Sequence, residues 1–279
     1  MSASAPVEAP ALRGHLHLAA APRADGATQL ARQSFRAPFH LSKPYWDGHV
    51  LHAQLVNSTA GILAGDELEL DIVAESGASL AVSTPAAARA FMMRRGAARC
   101  RQRFVVGGGA WLEYLPEPLF PHRETDYAQY TRLELAGGAS TFFTDQLAPG
   151  RVGRGECWAW RRLRIGLEVF LADRMLLREQ LDASGAELAR LAAFHGLSEA
   201  WFGTAVIAAP GLAAEAPVWQ QVRALHGEGC LCGATALAPG IWIVRLVAAN
   251  GLGLRDAFTA LRTTLATVLP GLRVNLRRL

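Results

Sequence analysis

Between Glu67 and Ile72 polar and apolar positions alternate strictly, with Glu67, Glu69 and Asp71 on one face and Leu68, Leu70 and Ile72 on the other. A period of two sends successive side chains to opposite faces of a strand, so the segment predicts a strand buried on one face. His15 to Leu18 repeats the pattern. Ser79 to Ser83, Arg99 to Val106 and Ala110 to Leu115 predict further short strands, and Glu75-Ser76-Gly77 and Gly107-Gly108-Gly109 supply turns between them. Tyr130 to Leu135 and Ser140 to Leu147 predict a strand pair joined at Gly137-Gly138. Trp158 to Leu163, Leu167 to Phe170 and Arg174 to Glu179 predict a meander. No repeat of fixed length is visible among these strands.

After Asp182 the period changes. Ala186 to Ala193 and Pro217 to Leu225 predict helices, Thr204 to Ala208 a strand and Ile241 to Val247 a buried strand. Leu254, Ala257, Phe258, Leu261, Leu265, Val268 and Leu269 recur at helical spacing, and Pro270-Gly271 ends that helix. The pattern therefore predicts a mainly β chain with some helix. It divides into a flexible segment over 1–13 and a single domain over 14–279, β-rich over 14–182 with a C-terminal α/β portion over 183–279.

Composition narrows the function. The chain has 279 residues, 51% of them hydrophobic and 19% charged, enough to bury a sizeable core. The net charge of +4 is carried almost wholly by arginine, since Lys43 is the only lysine. The arginines form small groups, at Arg94 and Arg95, Arg99 to Arg103, Arg161 to Arg164, and Arg277 and Arg278, without the dense stripe or aromatic platform of a nucleic-acid binder. An acidic protein partner suits this balance. Cys100, Cys157, Cys230 and Cys232 do not form a secreted disulfide pattern. Met1 to Pro10 has no signal-peptide pattern, and neither Trp201 to Ala214 nor the run around Ile241 is long enough to span a bilayer. The expectation is a soluble, cytoplasmic protein away from membranes.

Three groups of residues invite a chemical reading. Ala60-Gly61-Ile62-Leu63-Ala64-Gly65-Asp66 is a tight loop entering a strand. It lacks the helix and the Gly-Lys-Ser/Thr of a phosphate loop, and its local chemistry favours a turn with glycines at positive φ over an anion or metal loop. His226, Cys230 and Cys232 could hold a soft metal, but one loose Cys-x-Cys without a second pair fits a glycine-rich turn better. His15 and His17 share a strand face and read as surface residues before ligands. Ser58, Ser79, Ser83 and Ser184 lack a nucleophile elbow, while Glu67 with Glu69 and Glu117 with Glu124 read as solvated carboxylates. Trp111 to Phe120 reads as core and edge loop. No catalytic centre emerges.

A series of motifs is more informative. Ala37-Pro38-Phe39-His40-Leu41-Ser42-Lys43-Pro44-Tyr45-Trp46 precedes His52 in a strand position. The loop with Gly61, Gly65 and Asp66 follows, then Thr84-Pro85-Ala86-Ala87-Ala88-Arg89 and Trp111-Leu112-Glu113-Tyr114-Leu115-Pro116. Gly150-Arg151 with Gly155-Glu156, and Leu176-Leu177-Arg178-Glu179, complete the order. Taken together these segments, over residues 14–182, resemble the UreD/UreH family of urease accessory proteins. The chain departs from that family at Asn57-Ser58-Thr59-Ala60-Gly61, where a histidine and two prolines are replaced. It departs again at Ala90-Phe91-Met92-Met93-Arg94 and at Val274 to Leu279.

The resemblance implies a β-helix-like stack of short strands and a non-catalytic scaffold for urease maturation. It implies binding to the accessory protein UreF and through it to the GTPase UreG, docking on apo-urease subunits, and nickel in transit with no tightly bound cofactor. Under it His52, Gly61, Gly65, Asp66, Thr84, Pro85, Glu113, Gly150, Arg151, Gly155 and Glu156 are structural or partner-binding positions. Trp46, Phe91, Tyr114, Trp158 and Trp160 are candidate aromatic anchors, with core packing the simpler reading of each. The departures leave open a diverged metallochaperone or scaffold serving a target other than urease.

Overall fold

The computed structural model describes residues 11–275, so the readings of Met1 to Pro10, of Arg277 and Arg278, and of the chain end beyond Asn275 fall outside the described residues. The chain winds as a β-helix-like stack of about four coils. The first coil holds β1 (Arg13–Pro22), β2 (Thr28–Arg36), β3 (Phe39–Leu41), β4 (Tyr45–Asp47) and β5 (Val50–Asn57). The second holds β6 (Glu67–Ala74), β7 (Ser79–Ser83) and β8 (Ala88–Ala90). The third holds β9 (Ala98–Val106), β10 (Trp111–Leu115) and β11 (Leu119–Pro121). The fourth holds β12 (Asp126–Leu135), β13 (Ser140–Leu147), β14 (Gly150–Arg151) and β15 (Glu156–Cys157). The hairpin of β16 (Arg162–Leu171) and β17 (Arg174–Ala183) closes the stack. Then come α1 (Gly185–Phe194), β18 (Trp201–Ala208), α2 (Pro217–Arg223), β19 (Cys230–Ala238), β20 (Ile241–Ala248) and α3 (Gly251–Leu265).

The coils make two facing sheets. The first runs β17-β16-β12-β9-β6-β1-β2, parallel from β1 to β16 and edged by the antiparallel β2 and β17. The second runs β19-β20-β18-β13-β10-β7-β5-β3, parallel from β5 to β13. β18, β20 and β19 extend it antiparallel, so the C-terminal third adds strands to the same sheet. A third side consists of short ladders: Ile62 bridges Ala90, and β8 pairs with β11.

In the first sheet Arg13 lies beside Glu67, Glu67 beside Arg99, Arg99 beside Ala128 and Ala128 beside Arg164. Those pairs give coil lengths of 54, 32, 29 and 36 residues. The coils share a register but not a length, which is why no fixed repeat shows in the sequence.

The corner between the sheets is nearly the same in three coils. Glu75 to Ala78, Gly107 to Ala110 and Ala136 to Ala139 each close with an i to i+3 backbone bond of 2.8, 3.1 and 3.1 Å. The third residue is a glycine at positive φ, Gly77 at 77°, Gly109 at 68° and Gly138 at 78°, as a type II turn requires. The fourth is an alanine buried against the next coil.

Corrections follow from this geometry. Tyr130 to Leu135 and Ser140 to Leu147 are strands but not a pair: β12 and β13 lie in different sheets, because a type II corner turns the chain between walls instead of folding it back. The expected three-part meander is one hairpin, with Leu163 and Leu167 on a single continuous strand and Trp158 to Trp160 ahead of it. The last helix stops at Leu265 instead of Leu269, its final residues passing into turns. β2 and β19 went unpredicted, since both are edge strands without a clean alternation.

Two cores result. One fills the space between the sheets, with Leu18, Ile72, Phe104, Leu133 and Phe143. The other lies between the outer face of the second sheet and α2 and α3, where Trp219 and Trp242 stack at 4.0 Å. The outer face of the first sheet carries a chain of ion pairs, from Arg32 through Asp71, Arg103, Glu134, Arg132 and Glu168 to Arg178. This places four of the scattered arginines, Arg32, Arg103, Arg132 and Arg178. Among the described residues no helix is long and apolar enough to cross a membrane.

Gly107 tests the corner. A Cβ there would sit 2.5 Å from the Ser76 backbone nitrogen of the coil beside it. Gly107→Ala is expected to lower the unfolding free energy by about 1–3 kcal/mol in urea titration, through overpacking. Gly153→Ala, with nothing within 4 Å of the added atom, is expected to change it by about 0.5 kcal/mol or less.

Candidate functional site

The motif positions separate into three places. On the third side, Gly61 at φ 155° leaves no room for a side chain: a Cβ would lie 2.5 Å from the Arg89 carbonyl oxygen and 2.6 Å from the Phe91 ring. Ile62 N–H donates to the Arg89 carbonyl at 2.7 Å, joining the glycine loop to the segment that begins Thr84-Pro85. Asp66, almost fully buried, accepts from Leu12 N–H at 3.0 Å and Leu63 N–H at 2.8 Å. The loop is thus a buried turn built on an aspartate acceptor, with Gly65 at φ 87°. Thr84 Oγ1 accepts from Glu117 N–H at 2.7 Å and ties this segment to the next coil.

Farther along that side, Gly150 and Arg151 pair with Cys157 and Glu156 in a two-rung ladder, and Gly155 at φ 68° closes the turn between them. Arg151 donates to both carboxylate oxygens of Glu156, at 2.9 and 2.6 Å, and Arg123 N–H adds a third bond at 3.2 Å. The Arg151 side-chain bonds hold the Glu156 carboxyl below its ordinary range.

The third place is the outer face of the second sheet. Glu113 is fully buried on β10 and receives Arg262 of α3 on both oxygens, at 2.6 and 3.1 Å. Arg262 also donates to the Val274 carbonyl at 2.8 Å. This pair clamps the last helix and the chain end to the sheet. His52 lies in the same row of residues, its Nε2 3.0 Å from Ser83 Oγ. Burial and then the Arg262 charge push the His52 pKa down to about 4, so the ring stays neutral at pH 7.

The space between the sheets holds what the motifs did not mark. A chamber of about 230 Å³ is lined by Gly61, Thr84 and Pro85 at the third side and by Cys100, Gln102, Tyr127, Gln129 and Asp145 inside. These polar groups are linked. Gln102 Nε2 reaches Cys100 Sγ at 3.7 Å, and Thr131 Oγ1 donates to Gln102 Oε1 at 3.2 Å. The Tyr127 hydroxyl donates to Gln129 Oε1 at 3.2 Å, and Gln129 Nε2 donates to Asp145 Oδ2 at 3.0 Å. Gln146 N–H donates to Asp145 Oδ1 at 2.9 Å. Burial pushes the Asp145 carboxyl up to about 6 against those bonds, and the Cys100 thiol up to about 11.

The chamber has neighbours on both sides. Ala87 and Glu117 line it and also a cleft of about 820 Å³ bounded by α3. Asp145 lines it and also a cavity of about 330 Å³ between β17, β18 and β20, where Arg245 pairs with Glu179. The three cavities therefore adjoin through shared wall residues, with Asp145 between chamber and far cavity and Gln146 between far cavity and cleft.

The other candidates stand apart. His15 and His17 lie 4.7 Å apart on the outer face of the first sheet, beside Ser34 and Glu69. Cys230 and Cys232 are half-buried on edge strand β19, and Cys232 N–H donates to His226 Nδ1 at 3.3 Å. Among the described residues no three His, Cys, Asp or Glu side chains converge as a metal site. Trp46 is exposed and its indole donates to the Thr28 carbonyl at 2.6 Å, while Tyr114 and Trp160 are core. Phe91 and Trp158 are partly buried, and Trp158 donates to the Ser198 carbonyl at 2.9 Å. Sequence reasoning passed over Cys100, Gln102, Gln129, Asp145 and Arg262. Their signal was a polar residue in the inward phase of a strand, or inside the apolar stripe of a helix.

The family model described as UreD urease accessory protein matches residues 12–279. A urease accessory protein UreD from Opitutus terrae is 50% identical over 268 residues, 95% of this chain and 98% of the relative. The UreD of Cupriavidus metallidurans is 30% identical over 251 residues, 85% of each chain. That of Deinococcus radiodurans is 30% identical over 241 residues, 85% of this chain and 84% of its own.

Two predictions concern this site. Arg262→Met is expected to cost about 3–5 kcal/mol, because it removes the guanidinium from the buried Glu113 carboxylate, and a further Glu113→Leu change is expected to recover most of it; urea unfolding of the two single variants and the double variant reads the coupling. For His52 the folded pKa lies below the unfolded value, so its contribution is complete above pH 6.5 and is lost as pH falls toward about 4. Between those limits the wild type is expected to lose on the order of 3 kcal/mol that a His52→Gln variant does not lose, measured as unfolding free energy against pH.

Proposed function

This chain belongs to the UreD family of urease accessory proteins and has a role in urease maturation; we propose that it acts there as a non-catalytic scaffold through which nickel passes. In this reading it works in the cytoplasm, binds UreF and through it UreG, and docks on apo-urease. The observation that carries the reading is the group of three adjoining cavities with a desolvated carboxylate, Asp145, on the wall common to two of them.

A cation crossing the inside of a protein must exchange hydration for protein oxygens at each step, or meet a large desolvation cost. A resident metal site would bind too firmly to release its cargo. A chamber with two carboxylates, Asp145 and Glu117, and several amides and hydroxyls offers a partial replacement for water, and the far cavity offers a second stop. The positive charges of Arg262 and Arg151 are each neutralised by a carboxylate, so neither stands as an unpaired charge near the cleft. The mild surplus of arginine leaves the outer surface suited to an acidic partner.

Asp145→Asn keeps the shape and removes the charge. In a urease-producing host it is expected to cut nickel per urease by about tenfold, the scale on which groups around a metal ion act. The variant is expected to co-purify with UreF as the wild type does. Nickel content equal to wild type would take the chamber out of the path.

A further inference from the structure

We propose that Cys100 and Asp145 together make a transient site for a thiophilic divalent cation inside the chamber, with Gln129 orienting the Asp145 carboxylate. The proposal rests on the reading that the chamber carries a metal cargo, and adds to it which chemistry the cargo meets.

The placement follows from register. On the parallel ladder Cys100 of β9 lies directly beside Gln129 of β12. Both face the interior and both are buried, at 3% and 7% exposure. Gln129 reaches across from the first sheet to the second and donates to the Asp145 carboxylate at 3.0 Å. A thiol from one wall and a carboxylate from the other therefore line the same chamber, one glutamine apart. The Tyr127 hydroxyl, on the same strand as Gln129, donates to that glutamine and orients it.

The donor set selects the ion. Mg²⁺ and Ca²⁺ require shells of oxygen, which one carboxylate does not supply. A thiolate with a carboxylate suits late first-row divalent ions and Cd²⁺, with the remaining positions taken by water. Binding breaks the S–H bond and forms a metal–sulfur bond, the proton leaving to solvent through the cleft; no electron is transferred. Two protein ligands hold a cation weakly, as a stop on a path must.

The test uses the purified full chain titrated with Ni²⁺, Co²⁺ and Cd²⁺, read as sulfur-to-metal charge-transfer absorption. The wild type is expected to show the band and the triple variant Cys157→Ser, Cys230→Ser, Cys232→Ser to keep it. Cys100→Ser is expected to abolish it and Asp145→Asn to weaken the apparent affinity, each with an unchanged circular dichroism spectrum. A band kept by Cys100→Ser and lost in the triple variant overturns the proposal, as does no band in the wild type. Urease nickel content measured with the same variants separates the two readings. If Asp145→Asn lowers nickel loading while no thiolate band forms, the path stands and the thiol site falls. If the band behaves as expected while nickel loading ignores every variant, the site stands and the maturation path falls.

Discussion

The parallel backbone register between β6, β9, β12 and β16 is the constraint on which the rest of the structure depends. Each coil donates and accepts along its neighbours, so inward positions stack in rows: Leu68 by Cys100 by Gln129, and Ile72 by Phe104 by Leu133. The rows are apolar toward the glycine corners and polar toward the third side. That gradient, fixed by which residue occupies which rung, creates a dry core at one end of each coil and a chamber at the other. A slip of one residue would turn every inward side chain outward. The hairpins at β1–β2 and β16–β17 provide antiparallel ends to the parallel stack, as the tight corners and closed ladders hold the register between them.

Much of this was legible in the chain. Glu67 to Ile72 and Arg99 to Val106 announce their strands because one face meets core and the other meets water, and Ser79 to Ser83 as a short apolar run buried on both faces. The helices over Gly185–Phe194 and Gly251–Leu265 show their stripes for the same reason. The resemblance supplied the coiled architecture, which periodicity alone did not, since coils of 32, 29 and 36 residues share no period. Sheet membership was not legible either. A turn at Gly137-Gly138 suits both a hairpin and a coil corner locally, and only the neighbouring coils decide between them.

The chamber was illegible for a different reason. Gln102, Gln129 and Asp145 look like surface residues in one dimension, because polar groups are rarely buried without a partner. Here the partners come from other coils: Thr131 for Gln102, Asp145 for Gln129. The motif segments pointed to the right region without naming its inner residues. Gly61, Thr84 and Pro85 line the chamber, yet the close packing of Gly61 on Arg89 and the Thr84 bond to Glu117 N–H explain the first two as architecture.

The two faces of the second sheet couple architecture to chamber. β10 sends Glu113 outward to Arg262 and, one residue later, Tyr114 inward to the chamber wall. It then continues into Pro116 and Glu117, which line the chamber and, for Glu117, the cleft. α3, held by Arg262, forms the opposite wall of that cleft through Arg255, Thr259 and Thr263. The buried ion pair therefore sets the distance between the two sides of the cleft. Replacing it with apolar residues would keep the helix packed while removing the charged registration between helix and strand. The pair's contribution is then one of position, exerted from within the cleft, whose wall Arg262 itself joins.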